Sequence, residues 1–284
     1  MTGLSHLEPD IKLESNIKPD ASPRTSTTPR PAPAPGATLP PKTFPRSSGG
    51  ALSTVLSHLP VGARVLDVGC QGWTVLHRAE ALERRDLRHS GCDLDEGTGV
   101  VHGEFRKADL CREPLPWEDD HFDCVVMSHV LEHLTNPHEA FGEAVRVCRP
   151  GGTIFVETPS DRAVRWSFPW AQHLHLILSY WDDPTHVGRP FTPQALYRMS
   201  IYWSCIPLAT RYDQRLIDIA LLPLLLLRAL ITRDVDAGIA AWWRATGWCC
   251  YGVFTKRSDV SGKPPMNYFS FKGVRARTLD IGQG

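Results

Sequence analysis

From about residue 50 the chain alternates between two apolar rhythms. Residues 51–59 (ALSTVLSHL) place apolar side chains at helical spacing. Residues 63–70 (ARVLDVGC) are a short, nearly continuous apolar run ending in a turn, the pattern of a strand buried on both faces. WTVLHRAEALERR (73–85) returns to the helical period. Strand signals follow at HSGCDLD (89–95), EFRKADL (104–110) and FDCVVMSHV (122–130). EAFGEAVRVC (139–148) predicts a helix stopped by Pro150 and Gly151-Gly152, and GTIFVETP (152–159) a fifth strand. Strand and helix in alternation, with short connections, predict an α/β fold: a doubly wound, mostly parallel sheet covered on both faces.

Beyond residue 160 the rhythm loosens. Residues 161–190 are rich in Trp, His, Phe and Tyr without a clean period and suggest a cap or substrate segment. TPQALYRMSIYW (192–203) predicts a helix; IPLATRYDQ (206–214) and WCCYGVFTK (248–256) complete seven strands. Between those last two strands stands LIDIALLPLLLLRALI (216–231), whose charge-free core, 219–227, is nine residues long. A membrane span needs about 20. The stretch therefore predicts a buried or surface amphipathic helix pair within a helical insertion, 214–246. Three roles suit it: covering a substrate pocket, making a homodimer contact, or resting peripherally on a lipid surface.

Composition bounds the rest. Residues 1–48 are rich in Pro, Ser and Thr and hold too few large apolar side chains to offset the entropy of ordering them, so a disordered tail is expected ahead of a domain at 49–258. Residues 259–284 read as a polar tail. The N-terminal segment has charges throughout and no apolar signal core, and Glu8, Asp10, Glu14 and Asp20 argue against a transit peptide. Lys plus Arg and Asp plus Glu both number 31. That balance gives no electrostatic reason to expect nucleic acid, and a small-molecule substrate is the expected partner. Eight cysteines without a CxxC pair suggest reduced thiols and a cytoplasmic location, with peripheral membrane association as the variant.

The candidate chemistry lies at the predicted strand ends, where open parallel sheets bind ligands. Gly69 and Gly72 follow the first strand and let backbone approach a ligand or take positive φ. Asp67 before them suits a turn amide or an ammonium. Asp93 ends the second strand 24 residues after Gly69, where a carboxylate can accept both hydroxyls of a ribose; Asp95 is an alternative. Asp109-Leu110 ends the third, where an adenine edge would be read. A nicotinamide fold needs G-x-G-x-x-G after the first strand, which GCQGWT does not supply, and the P-loop pattern is absent.

VLDVGCQGW, GCDLD, KADL, LPWEDDHFDCVVMSHVLEHL and RVCRPGGTIFVETP together resemble the successive motifs of class I S-adenosylmethionine-dependent methyltransferases. The likeness is greatest to the small-molecule branch that includes the ubiquinone-pathway enzymes. It covers about 51–160 and continues more weakly through DDPTHVGRPFTPQAL (182–196). It implies a Rossmann-like sheet and S-adenosylmethionine as cofactor. By position, Asp67, Gly69 and Gly72 would cradle the methionine part, Asp93 the ribose, and Asp109 and Leu110 the adenine. Ser128 and His129 would line the methyl-donor end. Gln71 and Trp73 stand where that family's turn has its second and third glycines.

A sulfonium methyl is already activated, so alignment is the main task and no triad is required. His129 and His186, with His133, are candidate bases for an acceptor proton. SHVLEHL also has the H-x-x-E-H order of inverted zinc peptidases, but no metal is expected. Glu157 and Thr158 end strand five and can reach a substrate cavity, and Trp166, Phe168, Trp170, Tyr180 and Trp181 suggest a lid or a packed cap. The expected activity is methyl transfer to a small, apolar or glycan-linked acceptor. The alternatives are a catalytically silent binding module that keeps the fold, and a zinc hydrolase.

Overall fold

The computed structural model describes residues 41, 43–95, 103–165 and 176–258. Seven strands form one sheet: β1 (Arg64–Val68), β2 (Arg88–Asp93), β3 (Glu104–Lys107), β4 (Phe122–Ser128), β5 (Cys148–Pro159), β6 (Cys205–Tyr212) and β7 (Cys249–Lys256). Their spatial order is β3-β2-β1-β4-β5-β7-β6. The pairs from β3 to β5 are parallel, while β7 runs antiparallel to both β5 and β6. The expected doubly wound, mostly parallel Rossmann-like sheet is therefore the observed architecture.

The central strands are apolar on both faces because both faces are covered. Leu66, Val68, Val125, Met127, Ile154 and Val156 enter one core, beside Phe141 and Ala144 of α3 (Pro137–Val147). Their alternates Val65, Cys124, Val126 and Phe155 enter the other, beside Leu52, Val55 and Leu56 of α1 (Ser48–His58) and Val75 and Ala79 of α2 (Thr74–Ala81). This two-sided burial is why these strands read as continuous apolar runs.

Described residues on the N-terminal side of the predicted boundary at 49 pack against the domain. Ser47 caps α1 by accepting from the Gly50 amide at 3.3 Å, Phe44 is buried, and the Tyr251 hydroxyl donates to the Pro45 carbonyl. The predicted helix over 192–203 is α4 (Pro193–Tyr202), capped by Thr192. The insertion differs in detail from expectation. Residues 216–231 are not a pair of helices: α5 (Leu216–Thr232) passes unbroken through Pro223, and the second helix is α6 (Val235–Thr246). Asp234 caps α6 through the Ala237 amide, and Gly247 ends it at φ 70°. No helix among the described residues is long and apolar enough to cross a membrane. All eight cysteines are free thiols.

Candidate active site

Successive strands deliver their following turns to the carboxyl edge of the sheet. After β1, Gly69 and Gly72 take φ of 74° and 81°, the left-handed conformations that made glycine informative in the sequence. A Cβ on Gly72 would meet nothing within 4 Å, so that side of the turn is open. The turn is fastened to β2: the Gly69 and Cys70 amides donate to the Cys92 carbonyl at 2.8 and 3.2 Å. Asp93 joins the same junction, accepting from the Gln71 amide at 3.2 Å and from the Leu94 amide at 2.7 Å. The Ala108 amide, after β3, donates to the Asp93 carbonyl at 2.9 Å. Asp109 follows and folds back on the Cys111 amide at 3.0 Å, while Leu110 is buried and its carbonyl accepts from Asn136 at 3.0 Å.

Trp73 stands at the third glycine position of the family turn, and its backbone still takes the left-handed conformation, φ 51°. Its ring is buried with Cys70 and Leu76 against Phe105. Burial of a large indole offsets the roughly 1–2 kcal/mol that a left-handed conformation costs a residue with a Cβ. The substitution thus keeps the backbone path of the turn.

Asp67 lies within β1, opposite Gly91 on one side and Val126 on the other. It is buried, and its Oδ2 has no hydrogen-bond partner. Burial pushes its pKa up to about 8, the Val75 amide opposes this, and the Asp93 charge adds to it. A buried acid with an unpartnered oxygen, next to an open glycine turn and an oriented carboxylate at the next strand end, fits a ligand carrying an ammonium and a vicinal diol. The residues present fit S-adenosylmethionine.

A second constellation forms after β4 and β5. Ser128 pairs with Glu157 in the sheet register, and its hydroxyl donates to Glu157 at 3.2 Å. His129 takes φ 55° and donates its amide to the Glu157 carbonyl at 2.9 Å. Its Nδ1 lies 3.1 Å from Oε1 of buried Glu132, whose Oε2 accepts from Thr158 at 3.1 Å. Its Nε2 lies 3.9 Å from Cys249 Sγ. Burial of the ring lowers its pKa, but Cys249, Glu132 and Glu157 outweigh that and hold it well above the ordinary imidazole value. Cys249 itself is a thiol at neutral pH, its pKa pushed up to about 12 by burial.

His129 and Glu157 line a cleft of about 330 Å³ with Cys249, Asp213, Trp243 and Arg244, and residues 47–49 border it. Sequence reading found His129 and Glu157 here and missed the others, which no motif marks and which arrive from distant segments. Thr158, also expected in a substrate cavity, is fully buried and turned to Glu132.

His186 does not line this cleft. Its Nδ1 is 2.7 Å from the Tyr180 carbonyl, and its ring packs on Tyr180 and His133 at centroid distances of 4.4 and 4.9 Å. The H-x-x-E-H spacing does not assemble as a zinc pair either. The left-handed turn at His129 replaces the helical turn that the spacing assumed. His129 groups with Glu157 and Cys249, while His133 groups with Glu132 and His186. Of the proposed aromatic lid, Trp166, Phe168 and Trp170 lie outside the described residues. Tyr180 is buried and donates to the Gly188 carbonyl at 3.0 Å, whereas Trp181 is exposed.

The sheet order with one antiparallel strand and the acid–glycine turn define a class I S-adenosylmethionine-dependent methyltransferase. The chain belongs to the family described as "Methyltransferase domain", which it matches over residues 46–200, more than half its length. It is 33% identical over 109 residues to the ubiquinone biosynthesis O-methyltransferase of Dechloromonas aromatica, covering 34% of this chain and 44% of that one. It is 27% identical over 150 residues to the protein of the same name from Aeromonas salmonicida, covering 49% and 60%. The chain thus spans about half the length of the curated relatives it matches. It also resembles the solved complex between the Trm112 methyltransferase activator of Haloferax volcanii and a methyltransferase, at TM-score 0.50 and 20% identity, covering 72% of this chain and 87% of that one.

Proposed function

We infer that this methyltransferase uses S-adenosylmethionine bound at the β1–β2–β3 edge and methylates a small acceptor, apolar or glycan-linked, held in the His129 cleft. The observation that carries the reading is the junction of the glycine turn with Asp93 beside the unpartnered Asp67 oxygen. Asp67, Gly69 and Gly72 hold the methionine part, and Asp93 keeps a lone pair on each oxygen for the ribose hydroxyls. Asp109 and Leu110 border the adenine. The cofactor supplies a methyl group already activated on a sulfonium sulfur.

Ser128 ends β4, the strand beside β1, and His129 follows it into the cleft, so this pair would line the methyl-donor end. The carboxylate of Glu132 holds Nδ1–H of the His129 ring, so that in the neutral ring, populated as pH rises, Nε2 takes the acceptor's proton. Glu157 turns its carboxylate into the same cleft and orients the acceptor. His186 anchors the segment after β5 through Tyr180 and acts on the reaction only through position.

Calorimetric titration with S-adenosylhomocysteine tests the reading. The wild-type protein is expected to bind it, and Asp93→Ala to bind at least ten-fold more weakly while keeping its unfolding transition. A folded wild-type protein that gives no heat at high micromolar ligand would overturn the cofactor assignment and favour a silent binding module. A folded Asp93→Ala protein with unchanged affinity would overturn the ribose assignment alone.

A further inference from the structure

The insertion between β6 and β7 presents an unusual surface. In α5 only Asp218, Leu222, Leu225 and Ala229 escape exposure, a spacing of four, three and four that marks one narrow face. That face is turned inward; Leu225 and Ala229 line a groove against Ala237, Ala240 and Ala241 of α6. The other thirteen residues are exposed, and nine of them are Leu or Ile. Leu216 and Leu230 are 74% and 75% exposed, and Leu224, Leu227 and Ile231 are each more than half exposed. At about 100° per residue these nine side chains spread over roughly 220° of the helix surface. Arg228 is the single charge among the thirteen.

The width of that arc selects its occupant. A second protein surface, including another copy of this chain, covers a stripe of roughly 100° on a helix and would leave leucines on both flanks in water. A fluid apolar phase surrounds an arc this wide without leaving either flank in water. The charges agree with such a phase. Arg215 and Arg233 bracket the helix and Arg228 sits at one margin of the arc, where a guanidinium on an alkyl stem reaches the phosphate level of a lipid layer. The one acid of α5, Asp218, is buried and paired with Arg215 at 2.7 Å, so no carboxylate of the helix faces outward. The exposed acids Asp234 and Asp236 lie in the turn to α6 and at its start, which puts that end at the water side of the headgroups.

We propose that α5 is an in-plane lipid anchor, immersed along its length in one leaflet of a membrane with α6 above it. The helix contains 17 residues, about 25 Å at 1.5 Å per residue, and lies along the surface rather than across the bilayer.

The experiment is flotation of the full chain with vesicles of phosphatidylcholine and phosphatidylglycerol at 3:1, set beside a Leu224→Glu/Leu227→Glu/Leu230→Glu variant. None of these three residues lines the His129 cleft. The wild-type protein is expected to float with the vesicles, and the variant to lose at least ten-fold in bound fraction with an unchanged unfolding transition. A wild-type protein that stays at the bottom of the gradient overturns the proposal. So does a protein that is dimeric by light scattering without lipid and becomes monomeric in the variant, because α5 is then an interface between copies. If the variant misfolds, Leu230→Gln alone decides: the anchor requires a measurable loss of flotation from a folded protein. Flotation is read without cofactor, so its failure is distinct from failure of the S-adenosylmethionine reading.

Discussion

Asp67 offers a direct measurement of how the strand leading into the glycine turn is built. It is only 3% exposed, and burial is the main reason its pKa rises from 3.8 to about 8. The folded protein therefore holds a proton at neutral pH that the unfolded chain would release. With the folded pKa above the unfolded one, this group's contribution to stability is complete below about pH 4 and is lost as pH climbs through 8. Each pKa unit corresponds to about 1.4 kcal/mol, so the loss between pH 5 and pH 8 is about 3–4 kcal/mol. Asp67→Asn keeps the shape of the side chain and cannot ionise. Urea unfolding of both proteins at pH 5, 6.5 and 8 should show the Asn variant gaining on the wild type by that amount across the range. A stability difference that stays constant from pH 5 to 8 would refute the assignment of Asp67 as a protonated buried acid. The same acid links the fold to the ligand. An ammonium beside it favours the carboxylate, so S-adenosylhomocysteine affinity should rise from pH 6 to 8 in the wild-type protein and not in the variant.

Three further substitutions test other parts of the structure. Gly69→Ala places a Cβ 2.6 Å from Val130 Cγ2 at φ 74°, and should cost about 2–4 kcal/mol in urea unfolding with a parallel loss of S-adenosylhomocysteine affinity; a stable variant of unchanged affinity would mean the turn is not rigid. His129→Asn retains a residue that tolerates the left-handed backbone but removes the base, and should lower turnover on an identified acceptor by about 10²-fold or more. Because Cys249, Glu132 and Glu157 together hold the His129 pKa well above the ordinary imidazole value, wild-type turnover should increase as pH rises past 7; a profile that is flat there, or shared by the variant, removes His129 as the base. Lys256, nearly buried, donates to Asp120 at 2.8 Å and to the carbonyls of Cys148 and Arg146 at 2.8 and 3.2 Å. Lys256→Met strands those acceptors and should cost about 2–4 kcal/mol, discounted because Asp120 is partly solvated, whereas a loss below about 0.5 kcal/mol would show that water replaces the ammonium fully.

What the sequence revealed and what it hid have one physical origin. Strands β1, β4 and β5 are covered on both faces, so their burial is written into consecutive residues, and the turns that follow them were legible with them. Gly69 and Asp93 belong to turns fastened to one another across adjacent strand ends, and the strand-end pattern pointed to both. The cleft is different in kind. Its wall joins residues 47–49, His129, Asp213, Trp243 and Cys249, a span of some two hundred positions that only the closed sheet brings together. Sequence spacing also misled where it assumed a regular element. In SHVLEHL the four-residue interval between the histidines implied one helical face, yet His129 must turn left-handed to donate its amide to the Glu157 carbonyl. That single positive φ sends the two imidazoles to opposite clusters. It also brings Nε2 of His129 to the cleft while Glu132 stays behind to hold Nδ1. The departure from helical geometry that hid this arrangement from pattern reading is thus what builds it: a carboxylate-backed imidazole at the carboxyl end of β4.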